Sequence, residues 1–284
     1  MTTKNFKKIA VIGAGVIGSG VAHLFAQSAI SVVLVDQSSE QLETAKRTIA
    51  KNAKMFQLLK KGLGTPDQVL ANLTFTQDIA DIADAEFVIE NITEDWGKKK
   101  IVHTQIAEII GETIPVAANT SAIPITKFGS LYQKPDRVVG MHFMNPPPVM
   151  PMVEIINAVH SSEDALQAAT DLVQQAGKQS ITVNDSPGFV TNRVMMLMVN
   201  EAMFLIHEGV STPKDVDRLF KTCFGHKMGP LETADLIGLD TVLLSLDQLY
   251  IEFNDPKYRP CPLLKQKVYA GLNGRKTGEG FFKY

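Results

Sequence analysis

Residues 9–36 have the sequence IAVIGAGVIGSGVAHLFAQSAISVVLVD, which contains the most informative pattern of the chain. Two short apolar runs, 9–12 and 32–35, flank a longer segment of helical character, 19–29. Continuous apolar runs of this length are typical of parallel strands that helices cover on both faces. The stretch therefore predicts a βαβ unit with a right-handed crossover.

The turn between the first strand and the first helix is rich in glycine. It has a G-x-G-x-x-G pattern made of Gly13, Ala14, Gly15, Val16, Ile17 and Gly18. In such a loop the glycines permit a tight turn, close approach of the backbone to a pyrophosphate, and close packing of helix on strand. Asp36 ends the second strand, where an acid accepts hydrogen bonds from ribose hydroxyls and repels a 2′-phosphate. The stretch predicts NAD rather than NADP, although the glycine pattern alone leaves FAD open.

The pattern outside this stretch predicts two domains. Further buried strands are expected at 87–89, 116–118 and 138–141, with helices between them, so residues 1–185 form an α/β Rossmann-type domain. The strands stop after residue 186, and residues 186–284 form an all-helical domain. Its predicted helices are 189–207, 212–220 (with Thr212 as N-cap and Pro213 first in the helix) and 231–250.

Composition excludes several classes of function. The chain has 284 residues, of which 45% are hydrophobic and 20% charged, and its net charge of −2 suggests neither a nucleic-acid surface nor a membrane-binding face. No apolar run is long enough for a transmembrane helix, and the first residues do not resemble a signal peptide. The two cysteines, Cys223 and Cys261, are far apart, which excludes a cysteine zinc site and favours a reducing, cytoplasmic location. No metal site is predicted.

Polar residues follow the ends of the predicted strands. They are the Gly13 loop, Asp36, Glu90, Asn91, Asn119, Thr120, Ser121 and His142. Because ligands bind outside the carboxyl ends of parallel strands, these residues should meet at one edge of the sheet. His142 is the candidate general base, since an imidazole titrates near neutrality. A packed core histidine is the alternative.

Glu154 is the candidate partner of His142. Eleven residues separate the two, and three of these are the prolines at positions 146–148. A parallel crossover needs a dozen or more residues, usually with a helix, and the prolines forbid that helix. The strand at 153–157 should therefore return antiparallel and bring Glu154 to the imidazole, where it would fix the tautomer. An exposed edge-strand acid is the alternative.

Ser121 and Asn192 are candidates for contacts to a substrate oxygen. No G-x-S-x-G elbow surrounds Ser121, so we interpret it as a hydrogen-bond donor rather than a nucleophile. Asn192 lies in the first turn of the 189–207 helix, where a buried amide needs partners. The partner is either the substrate or the helix end.

The predicted helix 41–61 is longer than a crossover needs and, with glycines at 62 and 64, predicts a protruding helical hairpin. Its basic residues are Lys46, Arg47, Lys51, Lys54, Lys60 and Lys61. They form either a solvated face or a grip on a phosphate-bearing carrier.

These residues together resemble the L-3-hydroxyacyl-CoA dehydrogenase family, particularly its short 3-hydroxybutyryl-CoA dehydrogenases of fatty-acid metabolism. The resemblance covers nearly the whole chain. It rests on VIGAGVIGSGVA (11–22), NTSAIPIT (119–126), KPDRVVGMHFMNPPPVMPMVEII (134–156), PGFVTNR (187–193), GPLETADLIGLD (229–240), YRPCPLL (258–264) and GRKTGEGFF (274–282).

The resemblance implies roles for individual residues. His142 matches the general base, Glu154 its partner, and Ser121 and Asn192 the contacts to the substrate oxygen. Glu94 and Lys99 match positions at the nicotinamide end of NAD. The cofactor-binding set is then Gly13, Ala14, Gly15, Val16, Ile17, Gly18, Asp36, Glu94, Lys99, Asn119, Ser121 and Asn145. The resemblance also implies a homodimer formed by the helical domain, and contacts of Lys51 and Lys54 with CoA.

Some positions depart from the commonest pattern of the family. Ala118 and Ala122 stand where serines are usual, and the run Glu94-Asp95-Trp96 is unusual beside the cofactor. Such variants resemble a branch that acts on acyl-carrier-protein thioesters in polyketide extender-unit (hydroxymalonyl or methoxymalonyl) biosynthesis. The carrier is thus CoA or a carrier protein, and the departures do not touch His142 or Glu154.

The expected function is NAD-dependent oxidation of a hydroxyacyl thioester to the ketoacyl thioester. A short-chain dehydrogenase needs Tyr-x-x-x-Lys, and no tyrosine here has a lysine four residues later. A non-catalytic NAD-binding protein is the alternative from another class, which the set His142, Glu154, Ser121 and Asn192 disfavours.

Overall fold

The apolar runs of the first 185 residues form strands of one sheet in the computed structural model, which describes residues 3–59 and 64–284. Within these ranges the sheet has eight strands in the order β3-β2-β1-β4-β5-β6-β7-β8. The strands are β1 (Lys8–Ile12), β2 (Ser31–Val35), β3 (Leu73–Thr76), β4 (Val88–Glu90), β5 (Val116–Ala118), β6 (Val138–Phe143), β7 (Met152–Asn157) and β8 (Gln179–Asn184).

Helices connect these strands as in a doubly wound sheet. They are α1 (Val16–Gln27), α2 (Ser39–Leu58), α3 (Pro66–Ala71), α4 (Trp96–Ile109), α5 (Ile125–Gly129) and α6 (Glu163–Gln175). Strands β1 to β6 pair in parallel, β7 pairs antiparallel with β6, and β8 is parallel to β7. The order β3-β2-β1-β4-β5-β6 reverses between β1 and β4, which is where such sheets bind dinucleotides. The predicted Rossmann-type fold and the antiparallel return of β7 are both confirmed.

The two outermost strands, β3 and β8, are absent from the sequence prediction. Their sequences, LTFT and QSITVN, mix polar and apolar residues, and their side chains are partly exposed. Edge strands have one open side and need no continuous apolar run. Periodicity therefore gave no strand signal at either edge.

The helix predicted at 41–61 starts earlier, at Ser39, because Ser38 caps it by accepting a hydrogen bond from the Gln41 N–H. One stripe of α2, from Leu42 to Phe56, is buried, and Ala53 near its end belongs to the core of the sheet. The described part of α2 therefore packs along the domain as far as Phe56, whereas Leu58 and Leu59 beyond it are exposed, and the protruding hairpin stays a prediction. Lys60 and Lys61, and the turn at 62–63, lie outside the described residues.

The second compact unit begins at Ser186. Its helices are α7 (Thr191–His207), α8 (Pro213–Phe224), α9 (Pro230–Ile237), α10 (Leu239–Phe253) and α11 (Pro262–Tyr269). Thr212 caps α8 as predicted, by accepting from the Asp215 N–H. The single helix predicted at 231–250 is wrong: Gly238 has φ +100°, outside the helical region, and separates α9 from α10. In the part of the chain that is described, no helix has the length and apolar character to cross a membrane.

Candidate active site

The glycine loop lies at the carboxyl end of β1. Gly13 has φ +99°, and a Cβ there would lie 2.8 Å from the backbone of Asn91, so another residue would strain the turn and meet the neighbouring strand. Gly15 is the N-cap of α1, and no side chain accepts a hydrogen bond from the first N–H groups of this helix. The space beside the Gly15 Cα is open. The first N–H groups of α1 are thus accessible for an anion such as a pyrophosphate.

Asp36 turns back onto this loop from the end of β2. Its carboxylate accepts hydrogen bonds from the Ala14 N–H at 2.8 Å and the Ser38 N–H at 3.0 Å. Gly13, Gly15 and Asp36 line a cavity of about 680 Å³ that extends to Asn91. A cavity of this size, with a carboxylate at one end and uncapped helix N–H groups beside it, fits the adenosine and pyrophosphate of NAD.

His142 and Glu154 face each other across the antiparallel pair β6 and β7. The two residues are register partners, and His142 Nδ1 lies 2.8 Å from Glu154 Oε2. Both side chains are about 6% exposed. Because an ionised carboxylate can only accept, Nδ1 carries the proton and donates it, and Nε2 of the neutral ring is the acceptor. The predicted pair is therefore present, with the tautomer that a general base needs.

Ser121 lies next to His142, in the loop that follows β5. Its Oγ is 3.5 Å from His142 Nε2, at the outer limit of a hydrogen bond. Glu94 holds this loop: its Oε1 accepts from the Thr120 hydroxyl at 2.5 Å, the Ser121 N–H at 3.0 Å and the Ala122 N–H at 3.1 Å. A carboxylate with three donors fixes the backbone on both sides of Ser121.

Lys99 lies in α4, and its side chain contacts the same loop from the protein interior. Its side chain is fully buried, and Nζ donates to Glu90 Oε1 at 2.8 Å and to the Asn119 carbonyl at 2.9 Å. Nζ is also 3.9 Å from Glu94 Oε2. The resemblance places Glu94 and Lys99 at the nicotinamide end of NAD. In this structure both support the 119–122 loop, and their contact with the cofactor stays a prediction.

Asn119 and Asn145 occupy different parts of the edge. The Asn119 amide donates to Asn91 Oδ1 at 2.6 Å and accepts from the Phe143 N–H at 3.4 Å, so it connects β4, β5 and β6. Asn145 lines a smaller cavity of about 140 Å³ with Gly15 and Pro147.

The sheet order sets the distance between the two halves of this site. The glycine loop follows β1, while His142 lies near the end of β6, with β4 and β5 between them. Three strand spacings amount to about 14 Å. A dinucleotide that starts at the Gly13 loop and crosses the switch point thus has its second half over β4 to β6, toward His142.

Three predicted residues belong to other elements of the structure. Lys51 and Lys54 are exposed on α2. Asn192 is half-buried in the first turn of α7, in the second unit. Their roles stay predictions.

His103 and Tyr132 are two further buried polar residues near this loop, and the sequence pattern did not indicate either of them. His103 is fully buried in α4, with Nε2 3.1 Å from Glu90 Oε2 and Nδ1 2.7 Å from the Tyr132 hydroxyl. The available signal was the spacing of Lys99, His103 and Ile106 at i, i+4 and i+7, which puts two titratable residues on the buried stripe of one helix.

Comparisons with known proteins match both parts of the chain to one family. Residues 8–186 match the family model described as 3-hydroxyacyl-CoA dehydrogenase, NAD binding domain, and residues 188–284 match its C-terminal domain. A probable 3-hydroxybutyryl-CoA dehydrogenase from Deinococcus radiodurans is 42% identical over 277 residues, covering 98% of this chain and 100% of that protein.

Two crystal structures resemble the chain over nearly its whole length. (S)-3-hydroxybutyryl-CoA dehydrogenase PaaH1 from Ralstonia eutropha has a TM-score of 0.91 and 39% identity, with 99% of each chain covered. FadB2 from M. tuberculosis has a TM-score of 0.95 and 34% identity, with 99% of this chain and 100% of that chain covered.

Proposed function

The chain belongs to the 3-hydroxyacyl-CoA dehydrogenase family, and we propose that it catalyses the reversible, NAD-dependent oxidation of an (S)-3-hydroxyacyl-CoA to the 3-ketoacyl-CoA. The observation that carries this proposal is the series Ser121, His142 and Glu154 at the sheet edge that also holds the glycine loop. The names of the relatives favour a short substrate such as 3-hydroxybutyryl-CoA.

His142 is the general base in this proposal. Its Nε2 accepts the proton of the substrate hydroxyl, and in the reverse direction it returns that proton to the ketone. Glu154 accepts the Nδ1–H, which keeps Nε2 ready to accept, and its negative charge stabilises the imidazolium that forms. Bound NAD would accept the hydride that leaves the carbinol carbon.

Ser121 and Asn192 hold the reacting oxygen. A hydroxyl or amide N–H directed at this oxygen stabilises the negative charge that develops as the proton leaves. The Ser121 hydroxyl is next to His142 Nε2, so one oxygen of the substrate can contact both groups. The contact of Asn192 with the same oxygen is proposed from the family resemblance alone.

The residues that hold NAD are the Gly13–Gly18 loop, for the pyrophosphate, and Asp36, for the adenine ribose. At the nicotinamide end we propose Glu94, Lys99, Asn119, Ser121 and Asn145. The fit rests on the open helix terminus, the carboxylate at the end of β2 and the cavity between them.

An assay of the purified chain tests this function. We expect acetoacetyl-CoA to oxidise NADH, which is measured as a loss of NADH absorbance. In the reverse direction (S)-3-hydroxybutyryl-CoA should reduce NAD. NADH binding without turnover on any thioester would contradict the proposal and favour a non-catalytic NAD-binding protein. Turnover of an acetoacetyl carrier protein, with none of acetoacetyl-CoA, would assign the carrier-protein branch instead.

Asp36→Ala tests the ribose contact. Loss of hydrogen bonds to a charged group is expected to raise KM for NAD roughly 10- to 100-fold. The preference for NAD over NADP should also fall, since no charge would then repel the 2′-phosphate. Steady-state kinetics with both cofactors measures this preference. Asp36→Asn is the matched variant, because it removes the charge but keeps an oxygen for the Ala14 N–H. An unchanged ratio in both variants excludes the ribose role.

Lys51→Ala with Lys54→Ala tests the contact with CoA phosphates. Two exposed charges contribute modestly, so we expect KM for acetoacetyl-CoA to rise roughly 2- to 30-fold, with the difference shrinking at high salt. KM for NADH should stay at the wild-type value. Lys46→Ala on the same helix, outside the stripe of residues 51 and 54, is the control. A solvated face without a ligand gives no change in either KM.

We further propose that the second unit forms a homodimer and that the enzyme is cytoplasmic. The dimer is supported by large apolar side chains on the outside of this unit, with Phe224, Leu244 and Ile251 each about two-thirds exposed or more. The location is supported by Cys223 and Cys261, which are both free thiols.

A further inference from the structure

A chain of buried polar groups lies behind the Ser121 loop. It runs from Tyr132 through His103 and Glu90 to Lys99, and ends at the carbonyl of Asn119. Glu90, Lys99 and His103 are fully buried, and Tyr132 is 5% exposed. We call these four side chains the buried relay. Burying charges costs free energy that apolar residues of similar volume would avoid, so stability does not account for the relay.

The protons in the buried relay have one consistent arrangement. Glu90 accepts from the Ile92 N–H at 2.5 Å and from Lys99 and His103. Because a carboxylate cannot donate, His103 Nε2 carries the hydrogen of that contact. Nδ1 of the neutral ring is then the acceptor, and the Tyr132 hydroxyl donates to it. Each of these groups is satisfied by its neighbour in the relay.

The charge states support this arrangement. Burial lowers the pKa of His103, which keeps the imidazole neutral although Glu90 favours its charged form. Burial alone would raise the pKa of Glu90, but the charge of Lys99 and the hydrogen bond from His103 hold it below its ordinary value. Glu90 therefore stays ionised and paired with Lys99. The neutral His103 stabilises the ionised carboxylate by a hydrogen bond and adds no second positive charge.

The far end of the relay reaches the catalytic loop. Lys99 Nζ holds the Asn119 carbonyl from below, two residues before Ser121, while Glu94 holds the N–H groups of Ser121 and Ala122. A loss of order in Glu90 would release Lys99, and with it one of these two supports. Catalytic groups that are displaced by a fraction of an ångström lose much of their effect.

We propose that His103 and Tyr132 are positioning residues that orient Glu90 and Lys99, and through them the loop that bears Ser121 and the nicotinamide end of the cofactor site. This inference rests on the proposed function. It assigns to a neutral buried imidazole the task of fixing an ion pair next to the active site.

The variants His103→Phe and Tyr132→Phe test the inference. His103→Phe keeps a planar ring but removes both hydrogen bonds. We expect kcat to fall about 10-fold or more and the Kd for NADH to rise, because a hydrogen bond to a charged group such as Glu90 is stronger than one between neutral groups. Tyr132→Phe removes one hydroxyl and should have a smaller effect in the same direction. His103→Gln retains an N–H donor for Glu90 and should recover part of the loss. Fluorescence titration gives the Kd independently of turnover.

Phe128→Leu is the matched control for packing. The Phe128 ring lies 4.6 Å from the His103 ring and contributes no hydrogen bond to the relay. Phe128→Leu should lower Tm about as much as His103→Phe, yet leave kcat and the Kd for NADH unchanged. Equal losses of Tm in both variants, with wild-type kcat and Kd in His103→Phe, would overturn the inference while the wild-type assay still supports the proposed function.

The pH dependence of NADH binding provides a second readout. In His103→Phe, Glu90 loses a donor that lowers its pKa, so its protonation should begin at higher pH and weaken NADH binding on the acid side earlier than in wild type. The charged and titratable groups around Glu90 are Lys99, Glu94 beyond it, His103, Tyr132, and Arg137 over the Tyr132 ring. An acid limb that coincides with that of wild type would contradict the role of His103.

Discussion

We expect His142→Ala to lower kcat by roughly 100- to 10,000-fold, the usual contribution of a general base. The affinity for NADH should remain close to wild type, because His142 lies near the end of β6, on the far side of β4 and β5 from the glycine loop. Steady-state kinetics with acetoacetyl-CoA measures kcat, and fluorescence titration measures NADH binding.

His160→Ala is the matched control for His142→Ala. His160 is exposed in the same unit, after β7, and its loss should leave kcat unchanged. Near-wild-type turnover in His142→Ala would end the assignment of this residue as the base. Loss of NADH binding together with turnover would show instead that the variant damages the fold, which circular dichroism would detect.

Much of the fold was predictable because a few residues leave little freedom. The prolines at 146–148 exclude a helical crossover, so β7 had to return antiparallel, and it does. The glycine loop and Asp36 predicted the βαβ unit. The break at Gly238 was not recognised, since the apolar spacing continues through it and a single glycine gives a weak local signal. The edge strands were missed because partial exposure removes the apolar run.

The candidate site was predictable to the extent that strand topology determines it. His142 and Glu154 lie opposite each other because antiparallel register places them there, and that register follows from the short connection. Glu94 and Lys99 came from the family resemblance alone, because their contacts depend on how α4 sits against the 119–122 loop. His103 was missed for the same reason: its partners Glu90 and Tyr132 are 13 and 29 residues away in sequence.

The second large effect is expected for Glu154→Gln. An amide in this place has nearly the shape of the carboxylate but carries no charge to stabilise the imidazolium. If its NH₂ faces Nδ1, the ring must take the other tautomer, with the hydrogen on Nε2, where it cannot accept a proton. Loss of the acid in comparable histidine–carboxylate pairs lowers kcat by up to about 10,000-fold. We therefore expect a fall of roughly 100- to 10,000-fold here, with KM for NADH little changed.

Asp171→Asn separates the loss of a buried charge from the loss of the partner of His142. Asp171 is as buried as Glu154, in α6 of the same unit, and it accepts from the Lys4 N–H and the Gln167 amide rather than from a catalytic group. It should lower Tm without lowering kcat. Glu154→Gln should lower kcat far more than any change in Tm explains, since the base keeps its place but not its tautomer. Turnover within a few-fold of wild type in Glu154→Gln would mean that antiparallel register alone orients His142, and that Glu154 is a structural acid of β7.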